Sequence, residues 1–326
     1  MADTQQARSS ICLVRIWMGK YPAYFDCVLR SCGGNPDINW LIITDSPAPK
    51  NAPPNVRFYQ TTLPELATRF TQKLGRDFSG LQMNGSSIQL KITFGLVFDD
   101  LLAGFDFWGH CDIDVIFGNL RKFLTEDILT NHDKILCRGH LTLYRNTEKV
   151  NRAFLLSCPG IPDLWEVLRT NKQVQFDEWG GIYLIFRYND FRQYHDEFIA
   201  DIRPPTKWKI TRFETVAPVN YPEQVFYWYK GGIYRAHYNS DRAVVDEEYA
   251  YLHFQQRSMP GPAFNPFEHD GFFINSEGFS PYRREPITAA DFARYNPERW
   301  RPYPELVKHV KQALRRRLGL APAGSR

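Results

Sequence analysis

Asp112 and Asp114 stand one residue apart at the end of an apolar run, in the stretch 108–118 that reads W-G-H-C-D-I-D-V-I-F-G. In an extended backbone, residues i and i+2 face the same side, so both carboxylates can point at one spot while Ile113 points away. Two acids on one face of a strand end repel each other unless a cation lies between them. Carboxylate oxygens suit Mg²⁺ and Mn²⁺, hard cations that often bridge protein carboxylates and a substrate phosphate. One reading of the D-x-D is therefore a metal held beside a nucleoside diphosphate. The other is a pair of aspartates capping the next segment, and a D-x-D alone does not decide between them.

The elements around the pair bear on that choice. Ile11–Trp17 is a short apolar run that reads as a buried strand, broken by Gly19 and Pro22. Residues 24–32 carry Phe25, Val28 and Leu29 at helical spacing and stop at Gly33-Gly34. Residues 40–44 and 56–60 read as strands on either side of a proline-rich loop. This β-α-β-β alternation predicts a mostly parallel sheet with helical crossovers. Residues 63–74 and 87–102 read as helices, the second capped by Ser86 or Ser87 and ended by Gly104. Residues 105–111 form the strand that leads into the D-x-D. Ligands of open α/β sheets bind beyond the carboxyl ends of the strands, so the position favours the metal reading.

Further along, residues 134–137 and 141–144 read as strands, and 151–156 and 161–170 as helices. Residues 225–238 read as a β-hairpin around Gly231-Gly232. Residues 249–254 read as a final strand. Residues 260–304, rich in Pro, Gly, Asn and aromatics, read as irregular. Residues 305–318 read as a closing helix with Leu306, Val310, Leu314 and Leu318 at i, i+4 steps.

Composition narrows the class. The 326 residues are 43% hydrophobic and 23% charged, ordinary for a globular protein, so length and content allow one enlarged α/β domain or two. Aromatics reach 15%, a weak pointer to a sugar-binding cleft as well as to a core. A net charge of +4 is too small to argue for nucleic acid. The six cysteines occur singly and none forms a C-x-x-C pair, which points to a reducing compartment without structural zinc or disulfides. The polar N-terminus lacks the apolar stretch of a signal peptide, and no apolar run approaches the ~20 residues that cross a bilayer. These features predict a cytoplasmic location.

The wider block F-W-G-H-C-D-I-D-V-I-F-G-N-L-R-K-F resembles the GT-A-type glycosyltransferases of bacterial surface-polysaccharide synthesis (lipopolysaccharide, capsule, exopolysaccharide). Those enzymes carry an aromatic-rich strand ending in C-D-I-D, two hydrophobic residues and F-G. Other segments resemble the same family in order. I-W-M-G-K-Y-P-A-Y-F followed by N-W-L-I-I-T-D is similar to its first βαβ unit. R-G-H-L-T-L-Y-R-N (138–146) resembles the strand and turn after the D-x-D. F-D-E-W-G-G (176–181) resembles an acceptor-side motif, and Y-L-H-F-Q-Q-R (251–257) the late strand whose His completes the metal site.

The resemblance implies a GT-A fold, a Rossmann-like mixed and mostly parallel sheet flanked by helices. It implies a disordered N-terminus over 1–10 and a glycosyltransferase domain over 11–260. The nucleotide-sugar half would be 11–120 and the acceptor half 121–260, with an irregular extension and basic helix over 261–326. The implied activity is metal-dependent transfer, of hexosyltransferase type, from a nucleoside-diphosphate sugar to a saccharide or lipid-linked saccharide acceptor. Asp112, Asp114 and His253 would hold Mn²⁺ or Mg²⁺, although a His within Y-L-H-F can also be a core residue bonded to a carbonyl. Arg257 would meet the diphosphate beside Gln255, or be a solvated arginine. Asp45 would accept from the nucleobase, or start the turn before Pro47. Lys91 would reach phosphate, though a solvated helix lysine is the simpler reading.

An inverting enzyme of this kind needs a base, for which Asp177 and Glu178 are the candidates. A retaining one would use them only to orient the acceptor, and a helix N-terminal turn would place acids there without either role. Trp179 would stack on a sugar, and His140 and Tyr144 are further acceptor-side candidates. The basic C-terminal helix, with Lys308, Lys311 and Arg315–Arg317, either docks on an anionic inner membrane surface or packs on the domain. Two other classes remain. A phosphohydrolase or nucleotidyltransferase would share the metal, but such hydrolases commonly carry D-x-D after the first strand, which here ends far earlier. A non-catalytic carbohydrate-binding protein would share the aromatics but leave the D-x-D and the late His unexplained.

Overall fold

A computed structural model describes residues 8–82, 87–170, 175–196, 198–202, 210, 219–255, 259–275, 277–282 and 286–295. The expected helix over 305–318 lies outside the described residues, and so does Arg257.

Strand β1 (Ile11–Trp17) shows why the first apolar run has no alternation. Ile11 and Leu13 enter one core while Cys12, Val14 and Ile16 enter another on the opposite face. A strand buried on both faces reads as a continuous apolar segment. Helix α1 (Phe25–Gly33) covers the first core with Phe25, Val28 and Leu29. Strand β2 (Ile38–Thr44) repeats the pattern, with Trp40 in the first core and Leu41 and Ile43 in the second. After β3 (Val56–Gln60), helix α2 (Leu63–Leu74) covers the second core with Leu66 and Phe70. Its start is fixed by a capping box: the Thr62 hydroxyl accepts from Glu65 N–H, and Glu65 accepts from Thr62 N–H at 2.7 Å.

The single helix expected over 87–102 is not continuous. Ser87–Thr93 is a 3₁₀ helix, followed by the short α3 (Phe94–Val97). The Thr93 hydroxyl bonds back to the Leu90 carbonyl at 2.7 Å, a local alternative to the α-helical ladder. Leu90 and Ile92 enter the second core from this segment. Strand β4 (Phe107–Cys111) then runs to the D-x-D, with β5 (Val115–Phe117) just beyond it.

Helices α4 (Leu120–Phe123) and α5 (Glu126–Asn131) precede β6 (Lys134–Arg138) and β7 (Leu141–Arg145). Gly139-His140 joins these two strands, and so short a link forces them antiparallel. The helices expected over 151–156 and 161–170 are displaced: α6 spans Glu148–Asn151, a 3₁₀ turn spans Ala153–Leu155, and α7 spans Leu164–Thr170. Helix α8 (Ile182–Tyr188), β8 (Gln193–Tyr194) and β9 (Ile199–Asp201) follow.

The main sheet has seven strands in the order β3-β2-β1-β4-β7-β6-β8. Its β3-β2-β1-β4 part is parallel throughout, and β7 alone runs against its neighbours. The mixed, mostly parallel sheet flanked by helices is thus as expected.

A second sheet has five strands in the order β12-β11-β10-β14-β15. The expected hairpin is β10 (Gln224–Tyr229) with β11 (Gly232–Tyr238). The strand expected over 249–254 is two strands. Residues Val244–Tyr249 form β12 in this sheet, and after Ala250 the residues Tyr251–His253 form β13 elsewhere. The irregular reading of 260–304 is also revised. Gly271–Asn275 is β14, paired with β10, and Gly278–Pro281 is β15; α9 (Ala289–Tyr295) follows. Their F-F-I-N core packs at 4% exposure or less for Phe272, Phe273 and Ile274, which outweighs the surrounding Gly and Pro. A third sheet of three strands, β5-β13-β9, sits beside the D-x-D. Among the described residues, no helix is long and apolar enough to cross a membrane.

Candidate active site

The carboxyl ends of β1, β2 and β4 share one edge of the main sheet, because the three strands are parallel. Asp112 leaves β4 at that edge, its N–H donating to the His140 carbonyl at 3.1 Å. The extended geometry expected for the D-x-D is not kept: residues 113–114 form a bend between β4 and β5. Asp114 is fixed instead through its carbonyl, which accepts from Phe254 N–H at 3.1 Å. Ligand atoms of Asp112, Asp114 and His253 all lie within 4.8 Å of one another. The structure therefore brings together the three residues expected to share a metal.

Each of the three has its own electrostatic setting. Asp112 Oδ1 accepts from Arg15 Nη1 and from Lys91 Nζ, both at 2.7 Å. Burial alone would raise its pKa, but Lys91, then Arg15, then His253 hold it well below the usual carboxylate range. Asp114 is buried, with an oxygen 3.6 Å from His253 Nε2. His253 Nδ1 meets Asp201 Oδ1 at 2.8 Å. Burial would lower the His253 pKa, yet the Asp114 carboxylate 3.6 Å away and the hydrogen bond to Asp201 raise it to about 10. The imidazole between two carboxylates thus holds its proton, and any cation bound there would have to displace that proton. Its ring stacks on His140 at 4.3 Å between centroids and 21° between planes. His140 stays neutral, lowered to about 3 by burial and then by the charge on His253.

Lys91 overturns the simpler expectation of a solvated helix lysine. It is 5% exposed, donates to the Gly139 carbonyl at 2.8 Å as well as to Asp112, and lies 4.0 Å from Asp177 Oδ2. The 3₁₀ turn puts Leu90 and Ile92 into the core and Lys91 onto Asp112. Lys91 and Gly139 thereby connect the D-x-D to the second acidic pair. Glu178 Oε1 accepts from Gly139 N–H at 2.6 Å. The backbone at Phe176 and Asp177 donates to the Gln89 side chain at 2.8 and 3.3 Å. Asp177 Oδ2 is buried and makes no hydrogen bond. Burial raises its pKa to about 6; Lys91 opposes that rise, while Glu178 and Asp112 add to it. Asp177 and Glu178 precede α8, with Trp179, Gly180 and Gly181 between, so they belong to a loop that packs on the site rather than to a helix's first turn.

The remaining candidates spread around this centre. Asp45, at the carboxyl end of β2, is exposed and accepts from Gly19 N–H at 2.7 Å, tying down the turn after β1. Gln255 donates its amide to both oxygens of Asp201 at 3.1 Å. Tyr144 is a core residue: it is 2% exposed and stacks on Trp108 at 4.5 Å, so its acceptor-side reading falls away. His140 lies between His253 and Tyr251, whose hydroxyl is 2.9 Å from His140 Nδ1. Trp179 groups with Tyr183 and His195 at 4.6 and 5.0 Å, with the Arg138 guanidinium 5.8 Å from its ring.

Sequence reasoning missed Arg15, Gly139 and Asp201. Arg15 carried a signal, a lone charge inside I-C-L-V-R-I-W. Asp201 carried none, because it meets His253 only through the parallel pairing of β9 with β13.

No curated protein matches the chain. Among solved structures it is similar to an active-site mutant of LgtC, at 13% identity and TM-score 0.40, over 76% of this chain and 88% of that one. The galactosyltransferase LgtC in complex with donor and acceptor sugar analogs gives 13% identity and TM-score 0.40, over 75% and 87%. The glycosyltransferase GlyE of Streptococcus pneumoniae TIGR4 gives 13% identity and TM-score 0.32, over 58% and 46%. These likenesses are too distant to assign a reaction or a site. A family model matches residues 13–283, most of the chain, and the protein accordingly belongs to DUF6625, a family of unknown function.

Proposed function

We propose that this protein is a metal-dependent glycosyltransferase of GT-A type. It would move a sugar from a nucleoside-diphosphate sugar to a saccharide or lipid-linked saccharide acceptor in surface-polysaccharide synthesis. One observation carries the reading: Asp112, Asp114 and His253 offer ligand atoms within 4.8 Å of one another at the carboxyl end of a parallel β-α-β half. Two carboxylates and one imidazole form a donor set that fits Mn²⁺ or Mg²⁺. A divalent cation held there would neutralise charge building on a departing diphosphate, a stabilisation worth several kcal/mol.

The chain's own residues prepare the site. Arg15 and Lys91 keep Asp112 ionised. Asp177, raised to about 6, is matched to taking the acceptor hydroxyl proton near neutral pH if the sugar inverts. Glu178, tied to Gly139, holds the loop against the site. In a retaining reaction the same pair would orient the acceptor. Trp179 supplies an apolar ring beside them for the acceptor sugar. Asp45 would face the nucleobase from the same sheet edge, and Gln255 and Arg257 would flank the diphosphate. The acceptor's membrane, contacted from the cytoplasmic side by the basic segment 305–318, belongs to the same proposal.

A thermal-shift panel of nucleoside diphosphates and their sugars, with and without Mn²⁺, tests the reading. We expect one nucleotide to stabilise the wild type only with Mn²⁺. Asp114→Ala should keep the fold and lose that shift, and an unchanged shift in this variant removes the metal site.

A further inference from the structure

We infer that Asp201 is a positioning residue for the metal site, an inference that rests on the proposed function. It fixes His253 with Nδ1 turned to the Asp201 carboxylate and Nε2 turned to Asp114. Four observations support this. The pairing of β13 with β9 sets His253 directly beside Asp201, and Ile202 N–H donates to the His253 carbonyl at 2.8 Å. Nδ1 and Asp201 Oδ1 are 2.8 Å apart, while Nε2 lies 3.6 Å from Asp114 Oδ1. Gln255 holds both oxygens of Asp201 at 3.1 Å, so the acceptor is itself clamped. Stacking of the ring on His140 at 4.3 Å limits its rotation.

His140, Asp201 and His253 also offer ligand atoms within 4.8 Å, a second grouping of metal-ligand types. Here, however, Asp201 is engaged by His253 and Gln255, and His140 Nδ1 by the Tyr251 hydroxyl. The second grouping is therefore the support of the first. A carboxylate on the far nitrogen of a metal-binding histidine fixes its tautomer and orientation, and losing it typically weakens metal affinity 10–100-fold.

The experiment uses Mn²⁺ alone as probe, read by electron paramagnetic resonance. The titration gives the affinity, and electron spin echo modulation reports the ¹⁴N nucleus of a coordinated imidazole. Wild type should bind Mn²⁺ with ¹⁴N coupling. D201A should keep its circular dichroism spectrum, bind about 10–100-fold more weakly and lose the coupling. D201N, which keeps an oxygen toward Nδ1, should recover part of both. Q255A should show a smaller loss and also decides the matter if D201A does not fold. Wild-type affinity and ¹⁴N coupling in folded D201A, or in Q255A should D201A not fold, overturn the assignment. They leave the metal reading standing provided D114A has lost Mn²⁺. No Mn²⁺ binding by the wild type overturns the metal reading and this inference together.

Discussion

Asp177→Asn isolates the balance of charges behind the site. Burial raises the Asp177 pKa from 3.8 to about 6, against the pull of Lys91 4.0 Å away. That gap of about 2 units corresponds to about 3 kcal/mol at 1.36 kcal/mol per unit. The sign follows from which state binds the proton more tightly. The folded protein does, so this stabilising contribution is fully present below the unfolded pKa. It is lost as pH rises from 3.8 through about 6, and above that the folded state carries the whole cost of a buried carboxylate. Asparagine fills the same volume and does not titrate. Urea unfolding of both proteins in chelator, at about pH 4 and about pH 7.5, measures the difference. Any packing effect of the substitution is common to both pH values and cancels. The variant should gain about 2–3 kcal/mol on wild type between them. A flat difference, or a wild type that gains with rising pH, would mean that Lys91 balances or outweighs burial and that Asp177 is already ionised well below neutrality. It would then be a poor proton acceptor near neutrality.

Two further substitutions test how the centre is held. Lys91→Met leaves the half-buried Asp112 with Arg15 and His253 as its remaining cations and takes the Nζ donor from the Gly139 carbonyl, and losing such charged hydrogen bonds costs about 1.5–3 kcal/mol. It should also raise the Asp177 pKa further, which carboxyl ¹³C titration reads; a loss under about 1 kcal/mol with Asp177 unmoved contradicts the linkage through Lys91. Gly118→Ala would put a Cβ 2.5 Å from the Tyr249 carbonyl and 3.0 Å from both the Ala250 carbonyl and Ile233 N. Backbone cannot swing aside as a side chain does, so stability should fall by about 1–3 kcal/mol or more, and Mn²⁺ affinity should fall with it as β13 shifts. Wild-type unfolding and Mn²⁺ binding in this variant would show that the crossing has room to spare.

The parallel half of the fold was legible because burial on both faces leaves an unmistakable trace. Ile11–Trp17 and Ile38–Thr44 are apolar runs bounded by breakers, and the same burial made the strand before the D-x-D visible. Failures came where tertiary contacts override local pattern. Lys91 sits in I-Q-L-K-I-T, where a lone lysine reads as the wet side of a helix, and its burial is explained by partners distant in sequence, Asp112 and the Gly139 carbonyl. Tyr249–Ala250–Tyr251 has no breaker, yet the chain passes there from the second sheet to the third. What permits the passage lies far off in sequence, at Gly118, whose N–H donates to the Ala250 carbonyl at 2.8 Å. Strands β14 and β15 were hidden by flanking Gly, Pro and Asn that serve turns between well-buried Phe and Ile.

The ligand types were readable, but the device that gathers them was not. His253 reaches the D-x-D because β13 pairs antiparallel with β5, in a register that sets His253 opposite Val115, the residue after Asp114. On its other side β13 pairs with β9, and the same register sets His253 opposite Asp201. One three-stranded sheet thereby places a candidate ligand, its carboxylate neighbour and the end of the D-x-D in a row. Strands of three residues carry too little pattern to be read from sequence, and so small a sheet would be marginal if exposed to water. Here Val115, Ile116, Phe117, Ile199, Ala200, Tyr251 and Leu252 are all 1% exposed or less, so packing above and below shields it from water. A site whose spacing must hold to fractions of an ångström is better placed on buried strands than on loops. The break at Ala250 is what makes this placement possible: a strand continuing in the second sheet would carry His253 away from both aspartates.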